Sequence, residues 1–411
     1  MAEYDNNIKA LRAKMELKSA RVAKRYKFYE MKHTAHDLQI STPPKLLPLT
    51  SCLGWCGKAV DGLADRLCFR EFRNDELNMN EIYQQNNPDI LTDSAVLSTL
   101  IASCSFAYIS RGDAELPRIQ IIDAGNATGT IDPITGLLTE GYAVLRRAND
   151  LTVVEEAYYT GKYTAYLKKG KEYRRDPNPT GYPLLVPIIY RPDAVRPFGH
   201  SRISRACMSI VDAAMRTVKR CEISAEFYSF PQKYVTGLSE DAETLDSWKA
   251  AMSALISFGK DRDGDSPKVG QFTQQSMQPH IDQIRMLASL FAGETGLTMD
   301  DMGFPSDNPS SSESIKASHE TMRLAARKAQ RCIGTGLLNT GFVAACLRDE
   351  KPYTRDRINK IRPIWEPAFE KDLSALSLAG DAVIKINQAV PDFFNRENLR
   401  DITGVDPGGE A

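Results

Sequence analysis

The sequence predicts an α+β protein that is mainly helical and is divided into more than one lobe. Helical periodicity is strong near the N-terminus and again between residues 199 and 347. Between these regions, residues 106–169 hold short stretches of alternating polarity separated by turn dipeptides, a pattern typical of an antiparallel sheet. The chain has 411 residues, more than one hydrophobic core usually serves.

Composition and charge exclude several classes of protein. The chain is 42% hydrophobic and 26% charged, which is typical of globular proteins. Its formal net charge of −1 argues against a protein that coats nucleic acid through a basic surface. No apolar run is long enough to span a membrane and no apolar signal core begins the chain, so we expect a cytoplasm-like compartment.

The eight cysteines lie mostly in apolar helical patterns and are interpreted as small buried hydrophobes. A zinc site could be imagined from Cys52, Cys56 and Cys68 with His33 and His36. The spacing between Cys52 and Cys56 departs from the usual two-residue knuckle, so we expect no metal and no other cofactor.

The first element predicted along the chain is a basic amphipathic helix over residues 3–33, with apolar positions at Ile8, Leu11, Met15, Val22 and Tyr26. Such a helix can bind a membrane or DNA, but packing on the outside of an assembly is favoured here. A helix over about 92–103 and a strand over 106–110 follow. The predicted meander continues through 118–122, 136–147, 151–160 and 163–169, and residues 176–181 form a turn-rich linker.

A second helical region begins after the loop Gly199-His200-Ser201. Its predicted helix, residues 203–229, has one narrow apolar stripe, which suits packing on one or two neighbouring helices. The opposite face is charged, through Arg205, Asp212, Arg216, Lys219, Arg220, Glu222 and Glu226.

Residues 231–277 form a small module in which strands over 232–236 and 268–272 flank a helix over 240–257. A unit of this size buries little surface alone, so we expect it to complete its core against neighbouring subunits. Its aspartate-rich loop from Asp261 resembles the start of a calcium loop, but Phe272 stands where a bidentate Glu is needed, so we expect no calcium site.

A second helix over about 281–292 is followed by a loop rich in Pro and Ser and by a long helix over 311–347. Ser310 and Glu313 can form a capping box at the start of that helix. Three glycines in its second half, Gly334, Gly336 and Gly341, predict a bend or a break. Residues 361–367 predict an edge strand because the prolines within this segment could not sit in a central strand, and 373–388 and 395–402 predict short helices before a frayed tail.

This order of parts resembles the portal proteins of tailed double-stranded DNA bacteriophages. The residues that carry the resemblance are Val186-Pro-Ile-Ile-Tyr190, Phe198-Gly-His-Ser201, Leu287-Ala288, Thr295-Gly-Leu297, Met302-Gly303 and Ser311-Ser-Glu-Ser-Ile315. No single motif is specific; the ordered set covers nearly the whole chain.

The resemblance implies a portal fold and its division into parts. These are a wing of helices and antiparallel sheet (1–198), a first stem helix (199–230), an α/β clip (231–278) and a second stem helix (279–299). A tunnel loop (300–312), a long kinked helix with a strand returning to the wing sheet (313–367) and a reduced helical crown with a tail (368–411) follow.

The resemblance also implies a function. Portal proteins form a ring, usually of twelve subunits, at one capsid vertex, through which DNA is packaged, retained and ejected and to which the tail is joined. The expected partners are other copies of the chain, the double-stranded DNA in the channel, the terminase large subunit, the head-tail adaptor, the major capsid protein and a scaffold, with no membrane. The expected locations are the virion and, during assembly, the host cytoplasm.

Three groups of residues are candidates for this function. Closest approach to DNA is assigned to the tunnel loop, through Phe304, Pro305, Ser306, Asp307, Asn308, Pro309, Ser310 and Ser311. Charged rings in the stem lumen are assigned to Arg216, Lys219, Arg220, Glu222 and Glu226. Contacts of the clip with its partners are assigned to Lys233, Arg262 and Lys268.

Two other classes of protein stay open at this point, a structural adaptor that conducts no DNA and a soluble enzyme with a helical lid. The enzyme interpretation has little support. The segment around Ser201 resembles a nucleophile elbow but lacks the closing glycine. Gly54 to Lys58 lacks the frame of a phosphate loop, and the glycines at 334 and 336 lack the third of a dinucleotide fingerprint.

Overall fold

The computed structural model describes residues 4–36, 42, 44–112, 116–229, 233–236, 268–271, 276–304, 317–369, 373–395 and 398–399. In these ranges the chain is a mixed α+β protein, as the sequence predicts. The predictions for residues 240–257, the aspartate-rich loop near 261–266, the capping box at Ser310 and Glu313 and the tail after residue 404 lie outside the described residues.

Helix α1, Tyr4–Tyr29, lies across two hydrophobic cores. Ile8, Leu11 and Met15 are buried against Tyr142 and Tyr158 of a sheet, whereas Val22 belongs to the main core. The stripe predicted from the sequence is therefore the buried face of α1, since positions three, four and seven apart align on one side of a helix.

Three helices follow before the meander. They are α2 (Trp55–Ala64), α3 (Met79–Gln85), which the sequence did not predict, and α4 (Pro88–Ala102). Pro88 stands in the first turn of α4, where the missing N–H costs nothing. Most of α4 is buried, so it is a helix of the main core.

The predicted single meander is wrong, because its strands divide between two sheets. Strand β2 (Cys104–Ser110) lies between β3 (Arg118–Asp123) and β9 (Leu185–Ile189) in one antiparallel sheet. A second sheet joins, in chain order, β4 (Ala127–Ile131), β5 (Leu138–Arg147), β6 (Val153–Thr160), β7 (Tyr163–Lys168) and β8 (Lys171–Pro177). Part of the predicted linker belongs to β8, an edge strand, where Pro177 is tolerated.

Two long helices and a strand pair form the region that the sequence places at 199–299. Helix α5, Arg205–Ser229, and helix α6, Gln278–Thr295, confirm the two predicted helices. Between them, β10 (Lys233–Thr236) pairs antiparallel with β11 (Lys268–Gln271). We call α5, β10, β11 and α6 the arm.

Helix α7, Glu320–Arg348, is a single uninterrupted helix, so of the bend or break predicted from its glycines the break is absent. Its first half exposes Arg323, Arg327, Lys328 and Arg331, and its second half, from Ile333 to Leu347, is buried almost all round. The glycines allow close packing instead: a Cβ on Gly336 would lie 2.8 Å from the Cα of Ile188 in β9.

The returning strand, β12 (Arg362–Trp365), does not join either large sheet. It pairs antiparallel with β1 (Phe69–Arg73), a strand that the sequence did not predict. The predicted return of β12 to the meander is therefore wrong, because β1 provides its hydrogen-bonding edge. Helix α8, Leu373–Ala389, confirms the first predicted C-terminal helix. In the described ranges, no helix has the length and apolar character needed to cross a bilayer.

Candidate functional site

The loop before α5 is fixed by a glycine that no other residue can replace without strain. Gly199 has φ +74°, and a Cβ there would lie 2.0 Å from the carbonyl oxygen of Tyr190. The N–H of His200 donates to that same oxygen at 2.9 Å. The loop is also held by a hydrogen bond of 2.5 Å between His200 Nε2 and Asp193 Oδ2, which lowers the pKa of Asp193.

Ser201 has a structural role in this loop. Its buried hydroxyl donates to the carbonyl oxygen of Ile101 at 2.6 Å and accepts from the N–H of Ile203 at 2.9 Å. It thereby provides a hydrogen-bond donor for the carbonyl oxygen of Ile101. This carbonyl is in the last turn of α4 and has no partner within its own helix. The partial likeness to a nucleophile elbow is explained by this capping contact.

Arg202 joins the two ends of the arm to the rest of the molecule. Its buried guanidinium donates through Nε to the carbonyl oxygen of Ala59 in α2 at 3.2 Å and through Nη2 to that of Thr295 at the end of α6. Nη2 also lies 3.8 Å from Met322 Sδ in α7. Burial lowers the pKa of Arg202. One side chain therefore fixes where α5 begins and where α6 ends.

Helices α5 and α6 pack antiparallel along the arm. Near its base, Ser204 Oγ donates to Glu294 Oε1 at 2.8 Å. Near its far end, Ser224 Oγ and His280 Nε2 are 3.3 Å apart. The start of α5 thus lies beside the end of α6 at the base of the arm, and the end of α5 lies beside the start of α6 at its far end.

The five lumen candidates lie at two levels of α5. The cations Arg216, Lys219 and Arg220 are half-buried, and the acids Glu222 and Glu226 are exposed farther along. At 1.5 Å per residue the centres of the two groups are about 9 Å apart along the helix. Lys219 Nζ donates to the carbonyl oxygen of Leu47 at 3.0 Å, so this lysine also holds the segment before α2.

The base of the predicted tunnel loop is a tight turn. Asp301 Oδ2 accepts from the N–H and the hydroxyl of Thr298, both at 2.8 Å. Burial alone would raise the pKa of Asp301, but these hydrogen bonds outweigh it and the pKa is lowered. Phe304 is half-buried against the main core, and its N–H donates to the carbonyl oxygen of Met299 at 3.0 Å. The remaining loop candidates, Pro305 to Ser311, lie outside the described residues.

Two of the three clip candidates are in the β10–β11 pair. Lys233 stands opposite Gln271, and Lys268 stands opposite Thr236. The two lysines are therefore at opposite ends of the ladder, about 10 Å apart at 3.4 Å per residue. Arg262 lies outside the described residues.

The cysteine and histidine side chains weighed as a zinc site are dispersed. His33 Nε2 is 2.7 Å from Asp212 Oδ1 in α5, Cys56 is buried, and Cys52 and Cys68 are exposed. Throughout the part of the chain that the structure describes, no group of three or more His, Cys, Asp or Glu side chains could hold a metal ion.

Sequence reasoning missed Arg202, the residue on which this site's geometry depends most. An arginine beside a helix start is usually solvated, and nothing in the sequence marks this one as buried. The nearest signal was the preceding Gly199, which indicated a constrained turn.

Comparison with known proteins decides the family. The model of the family described as "Phage portal protein, SPP1 Gp6-like" matches residues 8–386. The chain belongs to this family.

Two curated relatives, each named portal protein, come from Mycobacterium phage D29 and Mycobacterium phage L5. They are 25% identical over 317 residues and 23% identical over 318 residues. Each match covers 72% of this portal-family chain and 65% of the relative, so the chain spans about two thirds of their length.

The solved structures that match this chain include chains from gene transfer agent particles. A chain from the neck of a native particle, computed with C12 symmetry, has a TM-score of 0.49 and 12% identity over 90% of this portal-family chain and 96% of that chain. A chain from the virion of a native particle has a TM-score of 0.46 and 11% identity, covering 86% and 90%.

Proposed function

We propose that copies of this chain form a ring of about twelve subunits at one vertex of a phage capsid, with a channel for double-stranded DNA. The observation that carries the proposal is the family match over residues 8–386. In this role the ring would admit DNA during packaging, retain the genome, join the tail and release the genome on ejection.

The surface of α6 supports assembly. Met286 and Leu290, which are four residues apart and therefore neighbours on one face, are each more than half exposed on this helix, although α5 already packs against it. Exposed apolar side chains in a row typically mark a contact with another protein. In a ring, the arm of the neighbouring subunit would cover them.

The charges on α5 support a channel through which DNA slides. In a ring each of the five lumen candidates on α5 is repeated once per subunit, which gives a level of positive rings and a level of negative rings. Opposite signs at different heights would centre a duplex without the many phosphate contacts that make binding tight. The tunnel loop, Phe304 to Ser311, is assigned the closest contact with DNA.

The assigned partners follow from this position. The clip, with Lys233, Arg262 and Lys268, would face the terminase large subunit during packaging and the head-tail adaptor afterwards. The wing and crown would face the major capsid protein and a scaffold. We assign ATP hydrolysis to the terminase and no catalysis to this chain. Assembly would take place in the host cytoplasm and the finished ring would stay in the virion.

Electron microscopy of the purified protein in negative stain tests the proposal. We expect end-on views with about twelve units around a hole wide enough for duplex DNA. Closed rings without such a hole would favour a non-conducting adaptor. Monomers at high concentration, both alone and with the scaffold, would overturn the proposed function.

A further inference from the structure

A basic groove lies between α1, the C-terminal end of α4, strand β4 and the loop over residues 195–199. Its volume is about 550 Å³. Five cations line it: Lys14, Lys18, Arg21, Arg25 and Arg196. The four on α1 are spaced by four, three and four residues, so they share one face of the helix.

In the part of the chain that the structure describes, no carboxylate is paired with these cations. In the described ranges none of the five forms an ion pair with a carboxylate, although Glu140 acts on Lys14 from a distance. Burial and then the charges of Lys14 and Arg21 lower the pKa of Lys18. Two side chains donate to the backbone: Lys14 to Gly129 at 2.6 Å and Arg25 to Ala102 at 3.0 Å. Because like charges in a partly buried site disfavour one another, a negative group placed there would gain energy.

The groove is also apolar. The phenyl group of Phe198 lies beneath the ammonium groups of Lys14 and Lys18, at 5.4 and 4.5 Å from its centroid. Val195 stands on the rim, 88% exposed. A matching occupant brings both negative charge and an apolar side chain. That combination favours a protein surface over the phosphate backbone of a nucleic acid.

A surface of that composition lies at the other end of α4. In the first two turns of the helix, Ile90 is 70% exposed between the exposed acids Asp89 and Asp93. Asp65 and Glu366 are close by, since these four carboxylates act together with burial to raise the pKa of Cys68. No ion pair of the four is formed within the described part of the chain. We call Asp65, Asp89, Ile90, Asp93 and Glu366 the acidic ridge.

Helix α4 separates the two surfaces. It has 15 residues, which corresponds to about 22 Å, and its last residue, Ala102, lies in the groove. The helix dipole accounts for Asp89 at its start and Arg25 at its end, but not for Lys18, Arg21 or the exposed Ile90. Head-to-tail assembly requires two different, complementary surfaces on separate sides of one chain. The groove and the acidic ridge meet that requirement.

We propose that the acidic ridge of one copy docks into the basic groove of the next copy, with Ile90 against Val195 and Phe198. The inference rests on the proposed ring and assigns residues to its contact. The contact gives direction around the ring, because each copy offers one ridge and one groove.

Charge reversal tests the contact. The groove variant carries Lys18→Glu and Arg21→Glu, and the ridge variant carries Asp89→Lys and Asp93→Lys; none of these four side chains has an ion pair in the described residues. Lys9→Glu, an exposed change on α1 outside the groove, is the matched control. Ring fraction is measured by mass photometry at physiological salt, and folding by circular dichroism.

Each variant alone is expected to form at least tenfold fewer rings than the unchanged chain and the control. An equimolar mixture of the two variants is expected to form rings again, since a reversed groove then meets a reversed ridge and alternating copies close the ring. This rescue requires both variants to be folded, so it separates the contact from misfolding.

Failure of the inference and failure of the proposed function differ in outcome. If the unchanged chain forms rings and either variant does so equally well, the inference is wrong and the function stands. If neither variant forms rings and their mixture forms none either, the proposed docking is wrong. Loss of duplex DNA binding by the groove variant would then assign the groove to nucleic acid. If the unchanged chain forms no ring, both are wrong.

Discussion

Single residues set the geometry at the base of the arm. Arginine suits position 202 because its planar group offers several donors in fixed directions, and two of them reach backbone oxygens of different helices, Ala59 and Thr295. The ammonium of a lysine has three donors on one compact nitrogen, so it does not span two oxygens in the fixed directions that the planar guanidinium offers. Arg202 therefore joins both ends of the arm from within the core.

Replacement of Arg202 by Met is expected to lower the free energy of unfolding by about 1–3 kcal/mol, because the buried carbonyl oxygen of Thr295 loses its donor. Arg202→Lys is expected to recover only part of this. Urea unfolding followed by circular dichroism measures the change. Arg205→Met, at an exposed position three residues away, is the control and is expected to be within about 0.5 kcal/mol of the unchanged chain. Equal stability of the Arg202 and Arg205 variants would contradict the role given to Arg202.

Residue positions were predicted well where periodicity alone decides burial. Ile8, Leu11 and Met15 are buried as their spacing indicates, because a helix that packs on one side must repeat its apolar residues. Arg202 could not be predicted, since its burial depends on carbonyl groups that are far away in the sequence.

At the scale of elements, the glycines of α7 show that glycine in a helix can either weaken the helix or allow another element to pack closely against it. Glycine in a helix interior weakens the helix, which led to the predicted break. In the structure Gly334 faces Pro363, Gly336 faces Ile188 and Gly341 faces Met79. A Cβ added to any of these glycines would lie less than 3 Å from an atom of the facing residue. Tertiary packing therefore outweighs the intrinsic preference, and the helix continues.

Gly336→Ala is expected to destabilise the fold by about 1–3 kcal/mol, because the added methyl group meets the backbone of β9. Gly293→Ala in α6 is the matched control, since no atom outside its own helix lies within 4 Å of the added Cβ. The control is expected to gain up to about 1 kcal/mol from helix preference. Both are measured by urea unfolding of the dilute protein. A neutral Gly336→Ala would show that β9 moves away at little cost.

The strands show where alternation fails as a signal. β8 has an almost wholly exposed sequence with a proline at its end, so it lacks the apolar alternation that identified its neighbours. β1 and β12 are close in space but nearly three hundred residues apart in the chain, and no local pattern predicts such a pair. The long helices were predictable from the sequence; strand partnership, and the elements α3, β1, β4 and β8, were not.

At the scale of the whole molecule, the sequence predicted two helices on either side of a strand pair and a long helix after them, because each has its own local pattern. It did not predict the groove and the acidic ridge as surfaces. The spacing of Lys14, Lys18, Arg21 and Arg25 was visible, but Arg196 and Phe198 join them only through the fold.

Deletion of residues 306–310 is expected to leave the ring intact and to reduce the amount of packaged DNA that particles retain. The turn at Thr298–Asp301 and the packing of Phe304 hold the base of this loop without those residues. Ring assembly is followed by electron microscopy and retained DNA by nuclease protection of particles. A replacement of the same five residues by Gly and Ser of equal length is the control for loop length. Full genome retention in the deletion would remove the tunnel loop from the proposed channel.

The contact between Arg202 and Thr295 has one more consequence. The chain enters α5 and leaves α6 at points that a single side chain spans, since Arg202 stands just before α5 and donates to the last residue of α6. A segment whose two ends are that close can be exchanged as a unit, as inserted domains are. The segment between these two points is therefore expected to be exchangeable between related chains while the rest of the chain stays the same.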